Sequence, residues 1–315
     1  MVSWRDFEWI GHHKLYRIVT IEGAVENIEP LHVGAGKKKG WEVADLIVLK
    51  VVDPVSGEEV PVIPGSSWKG VFRAEAVAIA RQNGLEVCDG LPRATCLEGR
   101  EFDEIEKNYP PAECLEMKLR GIVEGTISET GKGVCLLCLI FGTPGLRSHV
   151  SFYDSTPVSG YRLGYRRSVA ISRRTGAAAY GSLFTVEYVE PGSIFNFRLT
   201  AVNLPNYALG LLSTVMKEIN LGIVKVGGLK SRGYGTVRFI EERFKISVSG
   251  IKGVKNGVLE ALDPYDCEVE VSSSVLEGSE AWKVLEELSS AWTKSLSKLK
   301  EVSRKGWKWV ESKAS

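Results

Sequence analysis

The chain has 315 residues, 44% of them apolar and 25% charged, enough for one large domain with insertions or two modest ones around a real core. A formal net charge of +1 excludes a uniformly basic or acidic surface, yet residues 155–186 carry five arginines and no carboxylate, which points to one anionic partner. Residues 1–14 hold Arg5, Asp6, Glu8 and Lys14 where a signal peptide needs an apolar core, and the longest apolar run, 134–141, falls far short of the ~20 residues that span a bilayer, so a soluble, cytoplasmic protein is expected.

Residues 15–25 are rich in branched side chains and read as a first strand, and residues 43–52 as a second, with a loop rich in glycine and lysine at 34–40 between them. Asp53-Pro54 and Ser56-Gly57 supply turn chemistry. Pro64-Gly65-Ser66-Ser67 then places a serine N-cap before a helix over 66–82, with Val71, Phe72, Ala76 and Ile79 on one side and Asn83-Gly84 closing it. Residues 85–150 break the pattern. They hold five of the six cysteines, two adjacent prolines and no long periodic element, and read as an insertion. A hairpin arm is expected over 161–180, turning near Thr175-Gly176, followed by paired strands over 183–189 and 194–203 joined at Pro191-Gly192. Leu209, Leu212, Val215, Met216 and Ile219 recur at helical spacing, and residues 234–250 return to strand.

Without insertions the order is strand, helix, strand, strand, helix, strand, the α+β arrangement of a ferredoxin-like or RNA-recognition-motif fold. The palm of that fold takes residues 1–84 and 193–250, interrupted by the cysteine-rich insertion or lid at 85–150 and a hairpin thumb region at 151–192. Residues 251–315 form a C-terminal extension, in which Trp282, Leu285, Trp292, Leu296, Leu299 and Val302 mark an amphipathic helix that either packs back on the domain or docks to a neighbouring subunit. Gly306, Trp307 and Trp309 follow as an aromatic tail.

Three constellations carry chemistry. The first is Gly227-Gly228-Leu229-Lys230-Ser231-Arg232-Gly233-Tyr234-Gly235, where glycines let backbone amides approach a phosphate and Lys230 and Arg232 neutralise it; the Walker spacing is absent. The second is the helix start at Ser66 and Ser67 with Lys69 and Arg73 one turn apart, a ready anion site. The third is Cys135-x-x-Cys138 with Cys88 and Cys96, which supply two pairs for a closed tetrahedral zinc site. Unligated thiols and a Cys88–Cys96 disulfide are the alternatives, Cys114 and His149 the rival ligands, and Cys267 stands apart.

Pro64-Gly65-Ser66-Ser67 with Lys69, Cys135-x-x-Cys138 leading into Phe141-Gly142, Arg173-Arg174-Thr175-Gly176 and the late glycine loop together resemble the RAMP (repeat-associated mysterious protein) backbone subunit of type III CRISPR effector complexes, over about residues 15–239. The resemblance implies a subunit that polymerises along CRISPR RNA, beside further backbone copies and other effector subunits, with complementary target RNA paired to the guide. The hairpin would act as a thumb, and Arg166, Arg167, Arg173 and Arg174 suit phosphates and exposed bases. Ser172 stands where the family often has an acidic residue. Members that cut target RNA carry an aspartate after a Leu-His-x-Gly segment. Here Leu31-His32-Val33-Gly34 is that segment and Asp45 the matching aspartate, which would hold Mg²⁺ or Mn²⁺ at the scissile phosphate, with His32 contacting RNA or buttressing it. The alternatives are a non-catalytic structural or capping subunit, with Asp45 a solvated strand-edge residue; a repeat-processing endoribonuclease using His12, His13 or His32; and a zinc-stabilised RNA-binding protein of the translation machinery.

Overall fold

The computed structural model describes residues 2–37, 44–91, 94–127 and 132–310. In chain order, β1 (Ile18–Asn27), β2 (Gly34–Lys37), β3 (Leu46–Val48), β4 (Lys50–Val52) and β5 (Glu59–Pro61) precede α1 (Gly65–Gln82). Then come α2 (Asp103–Asn108), α3 (Pro111–Glu124), α4 (Leu136–Phe141), β6 (Val150–Phe152), β7 (Leu163–Ile171), β8 (Ala178–Val189), β9 (Ile194–Val202) and α5 (Asn206–Asn220). The rest is β10 (Val237–Phe239), β11 (Lys245–Ser249), β12 (Val254–Lys255), β13 (Val258–Leu259), β14 (Val269–Glu270), β15 (Val275–Glu277) and α6 (Gly278–Arg304).

β1 and β9 alternate apolar and polar side chains, so Val19, Ile21, Phe195, Phe197 and Leu199 share a buried face. They pair antiparallel at the centre of a sheet ordered β15-β11-β1-β9-β6. β10 and β11 are two halves of one strand beside β1, split by a 3₁₀ turn at Glu241–Arg243. α1 and α5 lie over the buried face. Trp68 of α1 meets Phe197 edge-on at 5.2 Å and donates its indole N–H to Ser155 Oγ at 2.8 Å, while Phe197 meets Phe239 at 4.9 Å. This is the α+β, ferredoxin-like arrangement.

Its second core strand is β6, three residues long, and not the expected 183–189 segment. That segment belongs to β8, which pairs with β7 along the hairpin and in parallel with β3, while the 194–202 strand turns away to β1. Three residues centred on a serine leave no periodicity to read. The expected strand over 43–52 is broken at Leu49 into β3 and β4, which join different sheets, and residue 43 lies outside the described residues. The insertion holds one substantial helix, α3, whose Leu119, Ile122 and Val123 are buried.

A second sheet, β2-β3-β8-β7, is bridged to the first where Leu31 and Val189 exchange backbone hydrogen bonds of 3.0 and 2.8 Å. Buried Asn27 sets that junction, donating to the Glu29, Val189 and Glu190 carbonyls and accepting from the Ser193 amide.

α6 packs back on α5 in the same chain. Gly210 lets the helices touch, since a Cβ there would fall 2.0 Å from the Leu288 carbonyl oxygen. The aromatic tail is structural: Trp309 is fully buried, meets the Phe7 ring at a tilt with centroids 5.7 Å apart and donates its amide to the Val123 carbonyl at 2.8 Å, while the Trp307 indole donates to the Glu86 carbonyl. The last described turn therefore holds the insertion against an amino-terminal 3₁₀ helix, Trp4–Ile10, which carries Phe7.

Beneath α5, Arg17 is fully buried and donates to the Leu204 and Glu260 carbonyls. Asp266 accepts the Asn206 and Tyr207 amides at 3.0 and 3.2 Å and caps a helix that Pro205 cannot. Asp263 accepts the Tyr207 hydroxyl at 2.8 Å, and burial followed by the Asp266 charge pushes its carboxyl up to about 7. An unfolded aspartate titrates near ~3.9, so the folded protein binds more protons between about pH 4 and pH 7 and loses stability as pH rises across that window. The urea midpoint is expected to fall from about pH 4.5 to about pH 7.5, and Asp263→Asn to flatten that slope; an unaltered slope in the variant would assign the dependence to other groups.

Candidate nucleic-acid interface and metal centre

The glycine loop leaves α5 through Val226 and threads beneath the β1–β2 connection, where Gly228 N donates to the His32 carbonyl at 2.8 Å and Gly235 N to the Pro30 carbonyl at 2.9 Å. Two positions demand glycine outright. Gly227 at φ +83° would push a Cβ to 2.5 Å from the His32 oxygen, and Gly235 at φ +92° to 2.2 Å from the Val226 oxygen. Leu229 also has a positive φ, +57°, which a leucine rarely adopts, and it turns Lys230, Ser231 and Arg232 outward as an exposed 3₁₀ turn. Gly233 has an open surround at φ +78°.

This loop meets the start of α1 across a cavity of about 350 Å³ lined by Ser67, Gly70, Gly34, Gly227, Gly228 and Lys230. Two of the sequence motifs thus form one concave site with a cation at its edge. Ser66 is exposed beside it. Lys69 is half-buried, and burial together with the nearby Arg73 charge holds its ammonium below the ordinary range.

The helix start differs from expectation. Pro64 occupies the N-cap with no side-chain cap, and the Gly65 amide is taken by Asp154 Oδ1 at 2.8 Å. Gly65 is needed because a Cβ would lie 2.3 Å from the Phe152 oxygen. One helix-start amide is therefore already committed to a carboxylate, which sequence reasoning missed because Asp154 lies far along the chain. Neither Lys69 nor Arg73 lines the cavity. The Arg73 guanidinium turns to α4, donating to the Gly142 carbonyl at 3.1 Å and to Cys138 Sγ at 3.6 Å.

Arg166, Arg167, Arg173 and Arg174 are all exposed along the hairpin, with Val169, Ile171, Tyr180 and Leu183 as exposed apolar neighbours. Arg166 lies between the Tyr188 and Tyr234 rings, 5.4 and 5.3 Å from their centroids, and ties the hairpin to the glycine loop. Arg232 faces the Phe184 ring at 5.8 Å in the same way.

Asp45 is exposed at the edge of β3 beside β8. Its amide donates to the Thr185 carbonyl at 3.0 Å and its Oδ2 accepts the Thr185 amide at 2.7 Å. Across β8, Thr185 is also the partner of Arg167, so carboxylate and guanidinium residues sit in one row of the sheet. His32 is buried, with Nδ1 2.7 Å from the Glu187 carbonyl oxygen, and is a strut beneath the glycine loop. Glu187, unmarked in the sequence reading, accepts from Lys50, the Val48 amide and the Tyr165 hydroxyl at 2.9, 2.9 and 3.1 Å. Burial opposes its charge, but those donors prevail and hold it below the usual carboxylate range. Its signal in the sequence was a carboxylate set among Val186, Tyr188 and Val189 directly after the carboxylate-free stretch.

The cysteine prediction is met in space. The sulfurs of Cys88, Cys96, Cys135 and Cys138 all lie within 4.8 Å of one another, with separations of 3.1 Å for Cys88–Cys138, 3.7 Å for Cys88–Cys135 and 3.8 Å for Cys88–Cys96. A tetrahedron with Zn–S bonds of about 2.3 Å has sulfur–sulfur edges of about 3.8 Å, so the donor set fits the ion in number, kind and spacing. All six cysteines are free thiols, which removes the Cys88–Cys96 disulfide. Cys114 instead faces the Ile105 and Tyr109 carbonyls, and the His149 ring lies between the Ile10 and Val202 carbonyls. Among the described residues this is the one group of three or more such ligands close enough to share an ion, and Asp45 belongs to none.

An antiparallel α+β palm with a glycine loop facing a helix start, a hairpin arm and a four-cysteine insertion defines a ferredoxin-like protein of the RNA-recognition-motif type. The RAMP superfamily model matches residues 25–238, from within β1 to β10, and the chain belongs to that superfamily. Membership implies a CRISPR-associated RNA-binding subunit. Comparison with curated proteins finds no match. No helix among the described residues is long and apolar enough to cross a membrane.

Proposed function

We propose that the chain is a backbone subunit of a type III CRISPR effector complex, holding guide RNA in the cavity between the glycine loop and the start of α1 and cutting paired target RNA at Asp45. The observation that carries the binding reading is that cavity, where Ser67, Gly228 and Lys230 converge from segments distant in sequence. Small residues on both walls let a phosphate approach closely, and exposed Lys230 and Arg232 neutralise it without reading its base. The exposed arginines and apolar side chains of the hairpin suit a surface that meets both phosphates and unstacked bases.

For cleavage, Asp45 would hold Mg²⁺ or Mn²⁺ with phosphate oxygens and water completing its shell; such an ion activates the attacking oxygen or stabilises the leaving one. The chain's own part is to fix the carboxylate against the Thr185 amide, in a row that also holds Arg167. That same bond favours a second reading, a non-catalytic subunit in which Asp45 only ties β3 to β8. The four cysteines would hold a structural zinc, closed to substrate, that closes the insertion.

The binding reading is tested by guide-RNA affinity of the full chain across a salt series. Lys230→Ala is expected to weaken binding alike for all guide sequences and to lower the slope of log affinity against log salt by about 0.7. An unchanged affinity and slope would remove the cavity from the interface.

A further inference from the structure

The metal centre and the RNA-facing helix meet in one side chain. Arg73 leaves α1 one turn after Lys69, and its guanidinium donates at once to Cys138 Sγ at 3.6 Å and the Gly142 carbonyl at 3.1 Å, while Cζ lies 5.9 Å from the Phe141 ring centroid. The segment carrying Cys88 is shaped around it: a Cβ on Gly90 would fall 1.8 Å from an Arg73 terminal nitrogen. Gly142, at φ +79°, leaves no room for a Cβ either, which would meet Ser148 N at 2.7 Å. Arg73 therefore packs, half-buried, between α1, α4 and the Cys88 loop, of which the latter two carry ligand cysteines.

Four thiolates around a divalent ion leave a net negative charge, and an N–H donor on one sulfur with a cation beside it offsets that charge and orients the ligand. On the other side, Gly70, Val71 and Ala74, flanking Arg73 on α1, line the cavity with the glycine loop. We propose that Arg73 is a positioning residue of the metal centre, through which metal loading fixes the wall of α1 that faces RNA. This rests on the zinc reading given above.

The test uses the full chain with Arg73→Met and Arg73→Lys, their folding checked by circular dichroism. Arg73→Met is expected to lose zinc to a chromophoric chelator at concentrations 10–100-fold lower than the native protein does. Its cobalt-loaded form should show the sulfur-to-cobalt absorption band at lower energy, because a thiolate without its N–H donor is more electron-rich. Arg73→Lys, which keeps a charge but not the fork, should fall between the two, and it carries the same measurements if Arg73→Met does not fold. Native protein stripped of zinc should bind single-stranded RNA about tenfold more weakly and recover on zinc addition. Native protein purified without zinc and unable to take it up defeats the zinc reading itself. Native protein with one zinc, and variants that match it in retention and cobalt spectrum, overturn the inference alone, as does native RNA affinity indifferent to zinc.

Discussion

Replacing Asp45 with asparagine is expected, on the proposed cleavage, to abolish metal-dependent cutting of target RNA by the assembled complex while leaving assembly and guide binding at native levels. The choice of asparagine follows from the geometry. Asp45 Oδ2 accepts the Thr185 amide at 2.7 Å, so Asp45→Ala removes both the carboxylate and the acceptor that ties β3 to β8. Asparagine keeps a carbonyl oxygen for that amide and forfeits the charge that holds a cation. A bound ion contributes several kcal/mol of transition-state stabilisation, which corresponds to a loss of roughly 10³-fold in rate. Asp45→Ala should lose the same activity and about 1 kcal/mol of stability besides. If Asp45→Asn cuts at the native rate, Asp45 is a sheet tie and the subunit reads as structural at that position. If both variants and the native protein are inactive with guide, target and Mg²⁺ or Mn²⁺ supplied, the RNA-binding assignment stands alone.

On the zinc reading proposed above, Cys135→Ser is expected to lose the ion and unfasten the insertion. Cys135 is buried, and its amide also approaches Cys96 Sγ at 3.4 Å, so a hydroxyl there removes one of four ligands from the side of the site that faces the core. A ligand present at about 1,000 times its Kd adds about 4 kcal/mol to stability. At roughly 2–4 °C per kcal/mol for a domain of this order, Tm should fall by about 8–16 °C. Limited proteolysis should then cut first within residues 85–149. Chelation of the native protein should reproduce the shift, and Cys114→Ser, whose sulfur faces backbone carbonyls, should change neither zinc content nor Tm. Equal zinc content in native protein and Cys135→Ser would remove Cys135 from the ligand set.

The long periodic pieces were legible in the sequence. α1, α5 and α6 begin within a few residues of their expected bounds, because each carries an apolar stripe long enough to count. The cysteine set was legible because thiols at short spacing have few other uses inside a fold. What failed was pairing. β6 is too short to show alternation, and nothing local says that the 183–189 stretch continues the hairpin arm while the 194–202 stretch leaves for β1. Site chemistry was legible by residue type but not by direction. Lys230 points outward as expected, whereas Arg73 turns inward to Cys138 Sγ, and Arg166 and Arg232, though exposed, lie over aromatic rings. The partners of Arg73 and Arg166, Cys138 and Tyr234, lie 65 and 68 residues away, beyond any local pattern.

The aromatic tail has a consequence for the order of events during synthesis. Trp309 donates its indole N–H to the Val134 carbonyl from 175 residues further along the chain. At roughly 5–20 residues per second, Val134 and the cysteine that follows it leave the ribosome about 10–35 s before the residue that covers them. Throughout that interval Cys135 lacks the cover that the tail brings to this side of the insertion, so metal and oxidants alike reach it before Trp309 does.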